Sequence, residues 1–111
     1  MAEAHQSKIE FIVKLDENKV PESISWTAED GGITDEASKA IMLSVWDHKA
    51  KDTLRMDLWT KDMPLDEMKQ FFHQTLESMA RTFKNATDDE KMTATMLDFC
   101  DYFAEKLELK K

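Results

Sequence analysis

The stretch Asp52-Thr-Leu-Arg-Met-Asp-Leu-Trp-Thr60 leads through Lys61-Asp-Met-Pro64 into Leu65-Asp-Glu-Met-Lys-Gln-Phe-Phe72. Apolar and polar residues alternate up to Trp59, whereas after Pro64 the apolar residues recur at every third or fourth position. The first pattern is typical of a half-buried strand and the second of an amphipathic helix. This change of period therefore predicts a sheet followed by a helix that covers it. It carries no catalytic or metal-binding motif.

Three earlier segments show the same alternation and are predicted to be strands: residues 8–15, 23–28 and 39–47. The fourth strand comprises residues 54–59. The polar segment between the last two strands has the length of a hairpin connection, which supports their pairing. Between the second and third strands, Gly31 and Gly32 break the pattern, and Thr34 is a candidate cap for a short helix ending at Lys39.

Two helices are predicted in the C-terminal part of the chain. Pro64 suits the first helical turn, where its missing N–H has no intrahelical partner. The first apolar stripe consists of Leu65, Met68, Phe72, Leu76, Met79 and Phe83, widened by Phe71, Thr75 and Ala80. Residues 85–87 end this helix, and Thr87-Asp-Asp-Glu90 matches a capping box that would begin the second helix at Thr87. The second stripe consists of Met92, Met96, Phe99, Phe103 and Leu107.

The order of these elements defines the expected fold. Short links between sequential strands make each pair antiparallel. We therefore expect an α+β protein, in which a four-stranded antiparallel meander is followed by two C-terminal helices packed on one sheet face. Residues 1–6 are expected to be a flexible tail, and residues 7–111 a single domain, because a chain of 111 residues is too short for two ordinary domains.

The charge of the chain restricts its partners. The formal net charge is -8, and the acidic residues are spread along the whole sequence without a basic block. This distribution argues against nucleic acid and against an anionic membrane surface as the main partner, and it favours a basic protein. The sequence has one cysteine, and it shows neither a signal peptide nor an apolar run long enough for membrane insertion. We expect a cytoplasmic protein.

Several large apolar residues are out of phase with the predicted core face. Trp46 and Met42 alternate against the aliphatic residues of the third strand, Trp59 against those of the fourth, and Ile12 against those of the first. An exposed patch of this kind indicates an interface, and tryptophan is frequent among interface hot spots. The interface hypothesis therefore names Ile12, Met42, Trp46 and Trp59. The alternatives are indoles folded under neighbouring loops and a ligand-binding platform.

The second helix carries an acidic face composed of Asp98, Asp101 and Glu105. A solvated surface is the ordinary interpretation of such a face, and docking of a basic partner is the functional one. Acid–base chemistry or binding of a divalent ion is the less favoured alternative.

Two further residues have ordinary interpretations beside chemical ones. His73 and Glu77 stand four residues apart, and we expect a solvent-facing pair, since zinc needs further ligands that the sequence does not supply. Cys100, among aromatic residues, is expected to be a buried small hydrophobic residue and not a nucleophile. No catalytic residue, metal ligand or cofactor is therefore predicted.

The eight methionines are many for this length, and five of them, Met63, Met68, Met79, Met92 and Met96, fall on or beside the two helical stripes. Methionine fills irregular gaps in cores, which is the ordinary interpretation of this enrichment. The alternative is an adaptable binding groove.

Three segments together resemble the GldC family, small proteins associated with gliding motility in the Bacteroidetes. They are LDENKVPESISW (15–26), LSVWDHKAKDTLRMDLWTKDMPLDEMKQFFHQTLESMA (43–80) and DFCDYFAEKL (98–107). The resemblance implies a cytoplasmic accessory protein of gliding motility, in bacteria whose gliding and type IX secretion machineries are linked. It transfers no catalytic residue, cofactor or characterised site.

The expected function is therefore non-enzymatic and depends on contact with a protein of the gliding machinery or with a second copy of the chain. A dimeric single-stranded nucleic-acid binder is one alternative, in which aromatic residues of the sheet would stack on bases. A small enzyme or ligand-binding domain is another, and it would need a pocket where carboxylates, His73 or Tyr102 converge.

Overall fold

The computed structural model describes residues 5–109. Five strands precede two helices: β1 Ile9–Leu15, β2 Pro21–Ala28, β3 Ile33–Ser38, β4 Ala40–Trp46, β5 Thr53–Trp59, α1 Leu65–Thr87 and α2 Glu90–Lys106. A single 3₁₀ turn, Glu29–Gly31, follows β2. The chain divides into two compact units, of which the first ends at Met63 and the second begins at Pro64. The strands therefore belong to one unit and the helices to the other.

The first sheet has the order β1-β2-β3, and both strand pairs are antiparallel. Phe11 lies opposite Trp26, and Val13 lies opposite Ile24. Because directly opposite residues share a face, the alternation predicted for β1 and β2 gathers their apolar side chains on one side. The rings of Phe11 and Trp26 stack with centroids 5.8 Å apart, and Ile24 is buried. This face holds the core of the sheet unit.

The turn between β1 and β2 is organised by Asp16. Its Oδ1 accepts hydrogen bonds from the backbone N–H groups of Asn18 and Val20, at 2.8 and 3.0 Å. Its Oδ2 lies 2.5 Å from Nζ of Lys61, which follows β5. The hydrogen bond from Lys61 is the main cause that lowers the pKa of Asp16, and the same contact raises the pKa of Lys61. Asp16 thus links the tip of the first sheet to the end of β5.

Residues 33–38 form a strand, so the prediction of a short helix from Thr34 to Lys39 is wrong. Asp35 has a positive φ of 47°, which is incompatible with a right-handed helix. Its N–H donates to Oγ1 of Thr27 at 2.9 Å, beside an irregularity in the pairing of β2 with β3. Backbone pairing with β2 therefore overrides the weak helical signal of this charged segment.

Lys39 separates β3 from β4, and β4 pairs with β5 in a second, two-stranded antiparallel sheet. The carbonyl of Lys39 accepts a hydrogen bond from the N–H of Thr60 at 2.8 Å. The predicted α+β class, antiparallel strand order and two C-terminal helices are confirmed. The strands number five instead of four, and they are divided between two sheets because the ladder breaks at Lys39.

The helices α1 and α2 pack against each other through small side chains. Residues 88 and 89 connect them, so they run in opposite directions. Within the described part of this pair, the buried positions are Ala80, Thr93, Cys100 and Ala104. Small residues at these positions let the two backbones approach closely.

The connection between the helices corrects the predicted capping box. Asp88 adopts a left-handed conformation with φ 55° and ends α1. Asp89 is the N-cap of α2, because its Oδ1 accepts the N–H of Met92 at 2.9 Å. Thr87 still belongs to α1, where its hydroxyl donates to the carbonyl of Phe83 at 2.8 Å. Because α1 extends through Thr87 and the left-handed Asp88 ends it, the cap of α2 moves from the predicted Thr87 to Asp89.

The predicted tail falls mainly outside the described residues, which begin at His5. Nε2 of His5 lies 2.9 Å from Oδ2 of Asp30, and the hydroxyl of Ser7 also bonds this carboxylate. The packing of the helices on one sheet face and the single domain stay predictions.

Candidate functional site

One face of the β4–β5 sheet carries both exposed indoles of the predicted interface. The register places Trp46 opposite Thr53 and Trp59 opposite Ala40. Trp46 is 66% exposed and Trp59 is 56% exposed. We name this surface the indole face; its members are Ala40, Met42, Ser44, Trp46, Thr53, Arg55, Asp57 and Trp59. Three of the four predicted interface residues, Met42 and the two tryptophans, therefore lie on one surface.

A polar cluster separates the two indoles. Nη2 of Arg55 lies 2.5 Å from Oδ1 of Asp57, and Nη1 donates to Oγ of Ser44 at 2.8 Å. The pairing register puts the indoles six positions apart, which corresponds to about 20 Å along the strands. The indole face is thus two aromatic anchors flanking a fixed guanidinium, instead of one continuous apolar patch.

Arg55 and Asp57 were not selected from the sequence, although their spacing carried the signal. They stand two residues apart in β5 and therefore project to the same side as Trp59. Arginine and tryptophan are both enriched among interface hot spots. The arrangement is chemically suited to recognising a protein surface with an apolar rim and an acceptor group at its centre.

Ile12 lies in the other sheet. It is exposed on β1, directly opposite Ser25 of β2, and Ser25 in turn lies opposite Ala37 of β3. Its surroundings are therefore the polar side of the first sheet, and it is not part of the indole face.

The acidic face of α2 is solvent-accessible. Asp98, Asp101 and Glu105 are all exposed and stand at intervals of three and four residues. This spacing aligns the three carboxylates along one side of the helix. The face offers a row of negative charge suited to a basic surface.

The prediction of a solvent-facing pair at His73 is wrong. Nε2 of His73 lies 3.1 Å from the carbonyl oxygen of Cys100, so this nitrogen carries the proton and donates it. The imidazole also stacks on the ring of Phe103 with centroids 6.1 Å apart. Nδ1 is 3.7 Å from the carboxylate of Glu77. His73 therefore joins α1 to α2. Its position on α1 faces the neighbouring helix as well as Glu77.

Cys100 is a buried thiol, as predicted. Its side chain is 2% exposed. Burial is the main cause that raises its pKa, and the charges of Glu77 and Asp101 act in the same direction. A thiol in this environment is a poor nucleophile, since the thiolate is the reactive form.

Two surface depressions in the described part of the chain differ in their linings. One of about 610 Å³ lies on the helix pair and includes Phe71, Met79 and Met96; His73, Tyr102 and the carboxylates do not line it. Another, of about 310 Å³, lies beside the break between the sheets, and its lining includes the charged residues Glu22, Lys39 and Asp62. No group of three or more His, Cys, Asp or Glu residues within residues 5–109 is placed to hold a metal ion.

Neither helix in the described part of the chain combines the length and hydropathy that a membrane-spanning segment requires.

Comparison with known protein families identifies the family of this chain. The sequence profile of the family described as gliding motility-associated protein GldC-like matches residues 21–109. No curated protein and no solved structure matches the chain. The profile covers β2 through α2 and so includes the indole face, the acidic face and both helices. The chain belongs to the GldC-like family of gliding motility-associated proteins.

Proposed function

We propose that this protein is a non-enzymatic, cytoplasmic accessory component of the gliding machinery in Bacteroidetes, linked to type IX secretion, and that it acts by protein–protein contact through the indole face. Family membership, which implies an association with gliding motility, supports the process. The single observation that carries the mode of action is the exposure of Trp46 and Trp59 on one face, on either side of the Arg55 cluster.

The energetics favour this surface as a contact site. An exposed indole keeps a large apolar area in water, and covering it with a partner recovers that hydrophobic free energy. The guanidinium of Arg55 is already held by Asp57 and Ser44, so little side-chain freedom remains to be lost on binding. Two exposed aromatic anchors and a polar centre held by hydrogen bonds would give a partner both affinity and orientation.

The acidic face of α2 supplies a second, electrostatic contribution. With a net charge of -8, the chain attracts a basic partner at long range, and this attraction speeds association. We expect the triple variant Asp98→Asn, Asp101→Asn, Glu105→Gln to slow association at low salt, and to change it little at high salt. An association rate with no salt-dependent difference would remove this face from the proposal.

A complementation experiment tests the indole face. In a gliding strain that lacks this chain, the wild-type gene is expected to restore colony spreading, and the double variant Trp46→Ala, Trp59→Ala is not. Loss of one tryptophan anchor at an interface weakens binding by about 30-fold or more. Tyr102→Ala is the matched control, since Tyr102 is an aromatic residue of comparable exposure on α2. Its variant should still restore spreading.

Abundance and folding of each variant are checked by immunoblot and circular dichroism. Full spreading by a folded, equally abundant double variant would reject the indole face as the contact surface. Filter binding of single-stranded DNA and RNA at low salt addresses the nucleic-acid alternative, and the charge of the chain predicts no retention.

A further inference from the structure

The second sheet has two strands only. Within residues 5–109, β4 and β5 are each other's single ladder partner. A two-stranded sheet is marginally stable in water, and stable sheets normally contain three strands or more. Each outer edge of this sheet carries backbone N–H and C=O groups without a ladder partner, and such groups can bond a further strand.

The two ends of the ladder show which backbone groups point outwards. The N–H of Thr60 donates to the carbonyl of Lys39 at 2.8 Å, and the N–H of Asp47 donates to the carbonyl of Asp52 at 2.9 Å. Hydrogen-bonded and non-hydrogen-bonded pairs alternate along an antiparallel ladder. Counted from either end, the even-numbered residues of β5 bond β4, and the odd-numbered residues direct their N–H and C=O groups to the outer edge.

The outward-bonding residues at the centre of β5 have opposite charges. They are Arg55 and Asp57, which stand on either side of Met56, and both side chains are close to half exposed. The next residue on each side is a leucine. The segment Leu54-Arg-Met-Asp-Leu58 therefore reads the same in both directions, except that the charge changes sign.

We propose that β5 pairs with β5 of a second copy of this chain, antiparallel and centred on Met56, so that the protein is a homodimer with one four-stranded sheet. A two-fold axis brings the same edge of both copies together. In this register Arg55 lies opposite Asp57 of the second copy, and symmetry repeats the pair. Both residues bond outwards, so each pair exchanges two backbone hydrogen bonds.

Charge selects this register over its neighbours. A pairing centred on Arg55 or on Asp57 would place that residue opposite its own copy. Like charges directly opposite each other destabilise a sheet, whereas opposite charges stabilise it. The guanidinium has donors for the contact, because Nη1 and Nη2 each keep a second N–H beside the one that bonds Ser44 or Asp57.

The other edge strands are less suited to this pairing. The pairing of β1 with β2 shifts between Lys14 and Leu15, and the pairing of β3 with β2 shifts between Trp26 and Ala28. Irregularities of this kind keep edge strands from adding a further strand. The strand β4 is regular but has no charged residue, so no register is selected there.

The wild-type chain provides the first test. This proposal concerns the outer edge of β5 and does not rest on the indole face, so each can fail without the other. Sedimentation equilibrium of the chain alone, from micromolar to hundreds of micromolar concentration, should give twice the mass of the 12.9 kDa chain. A monomer throughout this range overturns the proposal.

Two single variants and their mixture test the edge. Arg55→Asp places acids opposite acids, and Asp57→Arg places bases opposite bases, so each variant alone should dimerise about 30-fold more weakly. An equimolar mixture should form a heterodimer of nearly wild-type affinity, since every acid then faces a base. Both variants lack the ion pair within the chain, so only contact between two β5 strands can restore association.

A charge change away from the edge is the matched control. Lys49→Asp alters the net charge as much as Arg55→Asp does, in the exposed turn between β4 and β5, and it should stay dimeric. Equal weakening by Lys49→Asp would overturn the proposal, because the effect would then follow net charge. A folded mixture that associates no better than its components would also overturn it.

A cysteine variant tests the register in a Cys100→Ala background. Met56→Cys places two sulfurs at the two-fold axis, where Cα atoms of a non-hydrogen-bonded pair are about 4.5 Å apart, and this distance permits a disulfide. Leu54→Cys is the control, since its two copies would be about 14 Å apart. Mild oxidation should cross-link Met56→Cys alone.

Failure of Met56→Cys to cross-link, or equal cross-linking of Leu54→Cys, would overturn the proposed register. Circular dichroism verifies the fold of every variant. Should a charge variant fail to fold, the cysteine pair still decides, because it keeps Arg55 and Asp57 in place.

Discussion

The first sheet and the second sheet use tryptophan in opposite ways. Trp26 of the first sheet lies opposite Phe11 and stacks on it, whereas Trp46 and Trp59 of the second sheet lie opposite Thr53 and Ala40 and remain exposed. All three indoles occupy strand positions with a direct cross-strand partner. The residue opposite an indole on the neighbouring strand therefore decides whether the indole packs within the sheet or stays exposed. Cross-strand neighbours are the first groups that cover a side chain.

The largest expected difference in the free energy of unfolding concerns the aliphatic residues of the two sheets. Ile24→Ala in the first sheet removes a side chain that is 2% exposed, and it should lower the free energy of unfolding by about 2–5 kcal/mol. Leu54→Ala in the second sheet removes one that is 58% exposed, and we expect a loss below about 1 kcal/mol. Urea unfolding followed by circular dichroism measures both.

The outcome for Leu54→Ala decides how far the contrast extends. A loss as large as that of Ile24→Ala would mean that the aliphatic face of the second sheet is covered in solution, and the distinction between the sheets would be wrong for that face.

A smaller difference is expected between the tryptophans themselves. Trp26→Ala should cost about 2–3 kcal/mol, since Trp26 is half-buried and its stacking on Phe11 adds to the loss of buried area. Trp59→Ala should change the free energy of unfolding by about 0.5 kcal/mol or less. Equal losses in urea titrations would show that Trp59 has a structural role, and this would count against the indole face as a binding surface.

The smallest expected effect concerns the ion pair that links the two sheets. Because the pKa of Asp16 is lowered in the folded state, its carboxylate stabilises the fold above its unfolded pKa of about 3.9, and this contribution is lost as the pH falls through the lowered value. The raised pKa of Lys61 acts with the opposite sign: its contribution is present below about 10.4 and is lost as the pH rises beyond it.

Thermal unfolding from pH 2 to pH 7 measures the acidic half of this dependence. Asp16→Asn should lower the midpoint at neutral pH and flatten its fall with acid. Asp62→Asn, which removes a neighbouring exposed carboxylate, is the control. If both variants show the same acid dependence, the link between Asp16 and Lys61 does not hold the sheets together.

The parts of the fold that were predictable from sequence are those with a strong hydrophobic period. The alternation in β1, β2, β4 and β5 identified each strand and the phase of its apolar face, including the exposed positions of Trp46 and Trp59. The stripes after Pro64 identified both helices. In these segments the local pattern and the observed structure depend on the same periodicity, so no tertiary information was needed.

The parts that failed depend on contacts between distant residues. Ile33–Ser38 is a short, charged strand without alternation, and its pairing with β2 is what makes it extended. The break at Lys39 is a property of the ladder and has no local signature. His73 has a partner 27 residues away, the carbonyl of Cys100, which no spacing rule could supply. For the candidate site, the alternation of apolar and polar residues located the exposed indoles. It also implied that Ile12 lies in the same sheet as the indoles, and this was wrong.

The buried thiol of Cys100 can report how often the two helices separate. The sulfur is sealed between the two helices, and its raised pKa keeps it in the unreactive form. A thiol-specific reagent can modify it only after the helices separate, so at a reagent concentration high enough to react before they close again, the rate of labelling equals the frequency with which they part. Since the sequence has no other cysteine, this frequency can be read on the unmodified chain. A partner that holds the two helices together would slow the labelling of Cys100.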